Sequence, residues 1–360
     1  MSPTTDSKSE LLSSGAGLAT AVALESGTEL GETQVRARGY WEGVWLRFKR
    51  DKVAIAGGIF IVFLFLVAFV GAPVAQHLLG HGPDDQFSNA AVDEGGIPVG
   101  PWTWINTEPY VGAEHPGGGE WPRTLLILGA DGQLGRDVFL RLLYGAQVSL
   151  EVAIGATLIG MIVGVLLGVI AGYFRGWIDA LISRITEITM AFPYLLFVIA
   201  LASTVGPRLD GVTFGVLGRG VLTLILVLGI FSWFYPCRIV RSQVLSLREK
   251  EFVEAARMVG ASDWRIMRSH LLPHLVAPII VYSTLIVAQL VLAEAGLSFL
   301  GLGIKLPTAS WGNLLATAPD FYTSQPWLMV WPGLAVLLTT LAFNLLGDGM
   351  RDAFDPRSSR

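Results

Sequence analysis

Cysteine and charge are both scarce in this sequence of 360 residues. Cys237 is its one cysteine, so neither a disulfide within the chain nor a metal cage of several thiolates can form. Only 15% of the residues are charged, whereas an ordinary soluble domain has about 25%. A chain of this length would otherwise suggest two soluble domains, and the shortage of charge argues against them.

Sequence motifs of stand-alone enzymes are missing too. No G-x-x-x-x-G-K-[ST] occurs, so the chain has no P-loop to bind nucleotide phosphates. No serine lies in G-x-S-x-G, and no H-E-x-x-H occurs. His270 and His274 stand four residues apart, the spacing of a metal-binding pair on a helix. Pro273 lies between them and no third ligand is evident, so a plain surface role is favoured. The sequence predicts no enzyme acting alone and no catalytic residue, metal site or cofactor of its own.

Apolar residues are abundant instead. They make up 52% of the chain, and the mean hydropathy is +0.56, which is typical of an all-α polytopic membrane protein. Charge-free runs of bilayer-spanning length predict six transmembrane helices, because a helix satisfies its own backbone groups in lipid. The runs are Val53–Ala75, Val152–Phe174, Ile188–Pro207, Gly220–Cys237, Leu275–Ala293 and Phe321–Gly347, the last helix starting near Trp327.

Lysine and arginine predict the orientation of these spans. Six spans place both termini on one side, and positive residues concentrate in cytoplasmic segments. The connection between the fourth and fifth spans is rich in them: Arg238, Arg241, Arg248, Lys250, Arg257, Arg265 and Arg268. The alternate segments hold only Arg123, Arg136, Arg141, Arg208, Arg219 and Lys305. Both ends of the chain, and that connection, are therefore expected in the cytoplasm.

The predicted organisation follows from these spans. The polar start lacks the apolar core of a signal peptide, so residues 1–45 are expected to be a disordered cytoplasmic tail. The first transmembrane helix is predicted at 46–75, an extracytoplasmic loop at 76–145, a permease-like helical domain at 146–350 and a cytoplasmic tail at 351–360. The loop contains "PYVGAEHPGGGEW", whose glycines and prolines disfavour regular structure. It is either a linker or a platform for an external partner.

Small residues and prolines predict how the helices pack. A small residue recurs at every fourth position of the second span, which lines one helix face and lets another backbone approach closely. These residues are Ala156, Gly160, Gly164, Gly168 and Gly172. Prolines that fall in or beside spans remove backbone donors and favour kinks. They are Pro193, Pro278 and Pro332.

Glu294 is the ionisable residue that closes the fifth span. A carboxylate in or near a membrane is costly and usually faces protein or a watery cavity, so a place on the substrate pathway is one interpretation. The other is a helix-end residue reaching the interface. Gln289 and Asn344 are weaker candidates for the same pathway, since hydrogen bonds between helices explain them as well.

A charged stretch, Glu251–Leu275, lies between two apolar spans and predicts a helical hairpin. Phe252, Ala255, Ala256 and Val259 recur at helical spacing, Gly260 suits a helix end, and Ser262 is placed to cap a second helix. Trp264, Met267 and Leu271 give that helix an apolar side, and Pro273 is expected to end it. The hairpin is either a docking site for another protein or an element resting on the membrane surface or the chain's own bundle.

The hairpin also resembles a known family. "EAARMVGASDWRIMRSHLLPHL" resembles the cytoplasmic EAA loop of ATP-binding-cassette (ABC) importer permeases. "LGADGQLGRDVFLRLLYGAQVSL" (Leu128–Leu150), "LSFLGLGIKLPTASWGNLL" and "NLLGDGMRDAFDPR" are similar to segments of the dipeptide/oligopeptide/nickel group, in the subunit type encoded second of the permease pair. The resemblance covers roughly residues 40 to 360.

The resemblance implies a type I ABC importer permease (MetI-like) bundle that carries di- or oligopeptides across a bacterial cytoplasmic (inner) membrane. Such permeases pair with a second permease, sit on two ATPase subunits that hold ATP and Mg, and receive substrate from an extracytoplasmic binding protein; nucleic acid has no part. The hairpin, within residues 238–275, would enter a groove on an ATPase. The residues implied for ATPase coupling are Glu254, Ala255, Ala256, Gly260, Ala261, Trp264, Ile266, Leu272 and Pro273.

Three other functions stay open at the level of sequence. The same fold imports nickel or another small solute in related systems. A secondary transporter driven by an ion gradient would need charged residues near the midplane and inverted repeats, and neither is evident. A membrane scaffold or receptor without transport could tolerate the glycine ladder and the prolines but would not need them.

Overall fold

The computed structural model describes residues 40–108, 121–212 and 220–355. By its internal contacts the chain divides into residues 1–45 and residues 46–360. Helix α1 occupies Tyr40–Phe48, where Trp41, Val44, Trp45 and Phe48 recur at helical spacing. The prediction of a disordered tail is therefore wrong for residues 40–45, and the rest of that tail lies outside the described residues.

Five helices of the described chain are long and apolar enough to cross a membrane. A bent pair of helices is the sixth candidate: α4 (Gly176–Ala191) and α5 (Tyr194–Val212), with an angle of 87° between Gly176–Ala191 and Tyr194–Val205. The predicted all-α membrane protein is confirmed, with five spans, or six if the bent pair counts as one span. The five spans apart from this pair are α2 (Lys52–Leu79), α3 (Val138–Phe174), α6 (Val221–Leu247), α8 (Asp263–Phe299) and α10 (Trp327–Phe354).

The break in the third span corrects the single helix predicted over Ile188–Pro207. Helix α4 ends at Ala191, and Phe192 is extended with ψ of 138°. Pro193 follows directly, and the residue before a proline is disfavoured in helical conformation by its ring. The charge-free run thus joins the end of one helix to the start of another.

Aspartate caps mark where two spans really begin. The Asp51 carboxylate accepts hydrogen bonds from the backbone N–H groups of Val53 and Ala54 at 3.0 and 3.1 Å, so the first span starts at Lys52, not at 46. Asp137 caps α3 in the same way. Residues 138–145, predicted as loop, are therefore helix, since the capped helix starts before the charge-free run.

The other span ends also lie beyond the apolar runs. Helix α6 consists of Val221–Ile230 and Phe234–Leu247, so residues 238–247 of the predicted coupling loop are a continuation of a span. Helix α8 begins at Asp263 and contains π-helical turns over Ile266–Leu271. Helix α10 starts at Trp327, as predicted, and continues to Phe354, so the predicted tail from 351 is helical at first; residues 356–360 lie outside the described residues.

The glycine ladder of α3 faces α6, which confirms it as a packing surface. A Cβ atom built on Gly164 would lie 2.6 Å from the Trp233 carbonyl oxygen, and one on Gly168 would lie 2.7 Å from that of Cys237. A Cβ atom built on Gly172 would lie 2.7 Å from Val244 Cβ. Only glycine allows these two helices to approach so closely.

The loop between α2 and α3 contains short strands. Strand β1 (Thr103–Asn106) pairs antiparallel with β2 (Arg123–Leu126), and β3 (Ala130–Asp131) with β4 (Arg136–Asp137). Phe87, Ala91, Ile105, Leu126 and Ala130 form a small apolar cluster there. The Gly/Pro-rich stretch is undescribed over residues 109–120. Helix α9 (Trp311–Thr317) and a 3-10 turn (Ala318–Phe321) complete the fold.

Candidate functional site

The charged connection between α6 and α8 folds as the predicted hairpin. Its first helix, α7, is Glu251–Met258, and Gly260 follows with a φ of +83°. The backbone N–H of Ala261 donates to the carbonyl of Ala256 at 3.0 Å, and that of Gly260 donates to Arg257 at 2.9 Å. These two bonds are a Schellman motif, so Gly260 both ends α7 and turns the chain into α8.

The underside of the hairpin is part of an apolar core. Val253 of α7 and Ile266, Met267 and Leu271 of α8 are buried. They pack with residues from the ends of three spans, namely Val169, Tyr173, Val240, Val244 and Leu275. The hairpin is thus fixed to the chain's own bundle, and the burial of such side chains contributes roughly 1.5–3 kcal/mol each.

Tyr173, near the end of α3, holds the hairpin by polar contacts as well. Its hydroxyl donates to the Asp263 carboxylate at 2.5 Å. The guanidinium carbons of Arg257 and Arg248 lie 5.5 and 5.8 Å from its ring centroid, within the range of cation–π attraction. Arg248 also donates to the Tyr173 carbonyl. One aromatic ring therefore ties both hairpin helices to α3.

The tip of the hairpin is exposed and apolar. Met258 is 83% exposed and Val259 is 89% exposed, and Glu254, Ala255 and Gly260 beside them are exposed as well. A Cβ atom built on Gly260 meets no heavy atom within 4 Å. Side chains this apolar at the apex of a fixed hairpin are typical of a protein contact surface.

The predicted coupling residues divide into three groups. Glu254, Ala255 and Gly260 lie at the exposed tip, while Ala256 and Ala261 are half-buried beneath it. Trp264, Leu272 and Pro273 are exposed along α8. Ile266 is fully buried in the hairpin core, where it supports the hairpin from beneath.

Pro273 does not end the second hairpin helix, contrary to expectation. Helix α8 runs unbroken through it from Asp263 to Phe299, and the π-helical turns Ile266–Leu271 come directly before it. Local π adjustment lets a membrane helix accommodate a proline, which has no N–H to donate. The second helix of the hairpin and the fifth span are therefore one helix.

Glu294 lies in a closed polar cluster at the far end of α8. It is fully buried, and its carboxylate accepts hydrogen bonds from the hydroxyls of Ser149 in α3 and Ser298 in α8, both at 2.7 Å. The Trp311 backbone N–H points at Ser149 Oγ at 3.5 Å. Glu294 faces protein, so the reading that it reaches the membrane interface is wrong.

Gln289 and Asn344 stand apart from that cluster. Gln289 is exposed on α8, and Asn344 is half-buried on α10. Helices α8 and α10 pack against each other, with Gly347 in contact with Thr284 and Leu285. Glu294, Gln289 and Asn344 therefore do not form a single site.

Buried charges collect at the end of the bundle opposite the hairpin. Arg141 is fully buried; its guanidinium lies 2.9 Å from the Asp84 carboxylate, 3.2 Å from that of Asp131 and 3.2 Å from the Pro307 carbonyl. Arg136 donates to Asp131 at 2.9 Å. Charges buried this deeply stay ionised only when they are paired, so the network joins α3 to both neighbouring loops.

His81 and Asp137 form a second buried pair in the same region. Nε2 of His81 lies 2.9 Å from the Asp137 carboxylate, and Nδ1 lies 3.1 Å from both the Leu79 carbonyl and the Thr124 hydroxyl. Burial lowers the pKa of His81, but the hydrogen bond to Asp137 and the charge of that carboxylate outweigh it. The pKa of His81 is therefore raised above 6.5.

Sequence reasoning missed Met258 and the two buried charge networks. A hydrophobic pattern identifies the apolar face of a helix but not whether another segment covers that face. Met258 lies outside the predicted apolar stripe of α7, so its exposed place at the tip was not predicted. The networks join residues up to 166 positions apart. Asp137 did leave a local signal, since an aspartate before an apolar run is a common helix cap.

Comparisons with known proteins agree with the sequence motifs. Residues 164–360 match the family described as binding-protein-dependent transport system inner membrane component, and residues 39–94 match the N-terminal TM domain of oligopeptide transport permease C. The glutathione transport system permease protein GsiD of Pectobacterium atrosepticum is 36% identical over 317 residues, which is 88% of this chain and 91% of that protein.

A second relative is the dipeptide transport system permease protein DppC of Alkalihalophilus pseudofirmus. It is 36% identical over 326 residues, covering 91% of this chain and 93% of that protein. Among solved structures, the methionine ABC transporter MetNI in an inward-facing conformation matches with a TM-score of 0.47 and 18% identity, over 60% of this chain and 97% of that one. By its family match and its relatives, the chain belongs to the binding-protein-dependent transport system inner membrane components, as a membrane-spanning ABC importer permease of the dipeptide/oligopeptide group.

Proposed function

We propose that this permease subunit imports di- or oligopeptides across the cytoplasmic membrane. The names of the relatives support a peptide, because glutathione is itself a small peptide and the second relative is named for dipeptide transport. Identity of about one third over nearly the whole chain leaves nickel or another small solute as the alternative substrate. The chain itself is proposed to have no enzymatic activity, since it has no P-loop.

The coupling of transport to ATP hydrolysis is proposed to run through the hairpin 251–271. The observation that carries this proposal is the apolar tip, Met258 and Val259, held outward by a core at its base. An exposed apolar side chain on a fixed support can fill a pocket of a partner without losing much conformational freedom. Glu254, Ala255 and Gly260 surround the tip and are proposed to complete the contact.

The proposed partners are two ATPase subunits, a second permease and an extracytoplasmic binding protein. ATP and Mg would be bound by the ATPases. Both ends of the chain are proposed to be cytoplasmic, on the same side as the hairpin, because arginine and lysine concentrate in those segments. The loop between α2 and α3 would then face the binding protein.

The substrate pathway is proposed to follow the exposed face of α8 that carries Gln289, with Asn344 on the neighbouring α10. Glu294 would act on the pathway indirectly. Its carboxylate ties α3 to α8 through Ser149 and Ser298, which favours a role in positioning these helices.

The coupling proposal is tested with Val259→Asp in the complete complex reconstituted in proteoliposomes. A charge placed in an apolar contact is costly to desolvate, so we expect at least about a tenfold loss of ATPase binding and a matching loss of peptide-stimulated ATP hydrolysis. Ser262→Asp is the matched control, because it adds the same charge at an exposed helix cap where aspartate is as favourable as serine. Unchanged binding and hydrolysis in Val259→Asp would refute the docking role, whereas absent uptake of labelled dipeptide by the parent complex would refute the substrate.

A further inference from the structure

An apolar groove lies beside the hairpin, between α3 and the first turns of α8. It encloses about 260 Å³. Its walls include Leu166 and Ile170 from α3 and Trp264, Met267 and Leu272 from α8, and Arg268 is its charged wall. The groove is separate from the exposed tip at Met258 and Val259, and the proposed coupling role does not use it.

The groove continues an exposed apolar stripe on α3. Ile154, Leu158, Ile162 and Leu166 recur at every fourth position and are all exposed. They lie on the side of α3 away from the buried glycine ladder. Twelve residues of helix extend about 18 Å, comparable with one leaflet of a hydrocarbon core of about 30 Å. The stripe therefore provides a track for an acyl chain that ends in the groove.

Aromatic and cationic residues stand where this track ends. Trp264 is 65% exposed, and tryptophan favours the boundary between acyl chains and headgroups. Arg265 and Arg268 are exposed, and neither forms a salt bridge with a carboxylate in the described parts of the chain. The core of a protein interface is poor in unpaired charge, whereas an anionic headgroup would neutralise both guanidinium groups.

We propose that this groove binds an anionic phospholipid, with one acyl chain along Leu158–Leu166 and the headgroup at Arg265 and Arg268. The proposal goes beyond peptide import and requires only that the helices cross a bilayer. It gives Trp264 a lipid contact in place of the ATPase contact predicted from the sequence. A lipid bound here would touch α3 and α8 at the base of the hairpin, where the two helices meet.

The test is photocrosslinking of the assembled complex in nanodiscs of phosphatidylcholine. A trace of phosphatidylglycerol or of phosphatidylcholine carries a photoreactive acyl chain, and crosslinked peptides are mapped by mass spectrometry. We expect phosphatidylglycerol to label peptides from residues 165–170 and 264–272 in preference to phosphatidylcholine. Arg268→Gln should lower that preference about fivefold, the effect of one arginine near a membrane surface, and Leu166→Trp should abolish labelling by filling the groove.

Two matched controls decide the outcome. Leu337→Trp adds the same bulk at an exposed leucine of α10, away from the stripe, and Arg184→Gln removes an exposed cation elsewhere; both should keep the lipid preference of the parent. Equal labelling by the two lipids, or no labelling of either groove segment, would overturn the proposal. So would loss of the second permease from the Leu166→Trp complex, which would identify that subunit as the occupant.

Discussion

The two ends of the helix bundle are held together by different forces. At the loop end, buried charges form closed networks, with Arg141 joined to Asp84 and Asp131. At the hairpin end, an apolar core and the polar contacts of Tyr173 support a tip whose Met258 and Val259 face outward. Paired buried charges fix one geometry because any misalignment leaves a charge unsatisfied. An apolar core tolerates small displacements, and an uncovered apolar tip needs a partner.

The largest effect is expected at Arg141, the centre of the loop-end network. Arg141→Met unpairs Asp84 and leaves the buried Asp131 with Arg136 as its remaining cation, and breaking a buried pair costs about 3–5 kcal/mol. We expect little folded protein, and a markedly lower melting temperature for what remains, measured by scanning fluorimetry in detergent. Arg141→Lys keeps the positive charge but loses the planar guanidinium group, so its melting temperature should lie between those of the parent and Arg141→Met. A parent-like melting temperature for Arg141→Met would remove the contrast between the two ends.

The next effect is expected at the hairpin end, where packing dominates. Gly172→Ala places a Cβ atom 2.7 Å from Val244 Cβ, and such overpacking costs about 1–3 kcal/mol. The same measurement should show a lower melting temperature. Gly333→Ala in α10 is the control, because a Cβ atom there meets nothing within 4 Å; equal effects of the two variants would contradict the close packing of α3 on α6.

A smaller effect is expected from the polar anchor of the hairpin. Tyr173→Phe removes the hydroxyl that donates to Asp263 but keeps the ring beneath Arg248 and Arg257. A hydrogen bond of this kind contributes about 1 kcal/mol, so the melting temperature should barely change while amide exchange over residues 251–271 quickens. Tyr173→Ala, which also loses the ring, should raise exchange much further. Unchanged amide exchange in Tyr173→Phe would show that the Tyr173 ring holds the hairpin without help from the hydroxyl.

The smallest effect is a pH dependence confined to the loop end. Since the pKa of His81 is raised in the folded protein, its contribution is complete below the ordinary value of about 6.5 and is lost as the pH rises through the folded value. The melting temperature of the parent should decline across that range, and His81→Gln should flatten the decline. His77→Gln, at an exposed imidazole four residues earlier, should retain it; a parallel slope in His81→Gln would exclude the His81–Asp137 pair as its source.

Hydropathy predicted where the spans lie but not how far their helices extend. It reports the length of chain that lipid can cover, whereas α3 and α8 continue past Val152 and Leu275 into polar sequence. A kink at Pro193 was predicted, but an apolar run does not show that the bend there divides the span into two helices. The predicted start at Trp327 was right, because the apolar residues of the helix begin there, after Pro326 and the polar residues before it.

The hairpin was foreseen more fully than the surface it presents. Gly260 signalled the turn because a residue free of a Cβ adopts positive φ without strain. The spacing of apolar residues did not predict which side of the hairpin is buried. Val253 and Ile266 face the chain's own core, while Val259 points away from it. That choice depends on Val169 and Val240, which come from α3 and α6. Contacts between distant segments decide which of two apolar faces is left free.

The continuity of α8 through Pro273 has a mechanical consequence. The 37 residues of α8 form a helix about 55 Å long. Asp263, at one end, accepts a hydrogen bond from Tyr173, and Glu294, near the other end, accepts one from Ser149. A helix of this length that tilts by about 3° about its middle moves its two ends by about 1.5 Å in opposite directions. The hairpin and the Glu294 cluster therefore belong to one helix, so a displacement at either end is expected to reach the other.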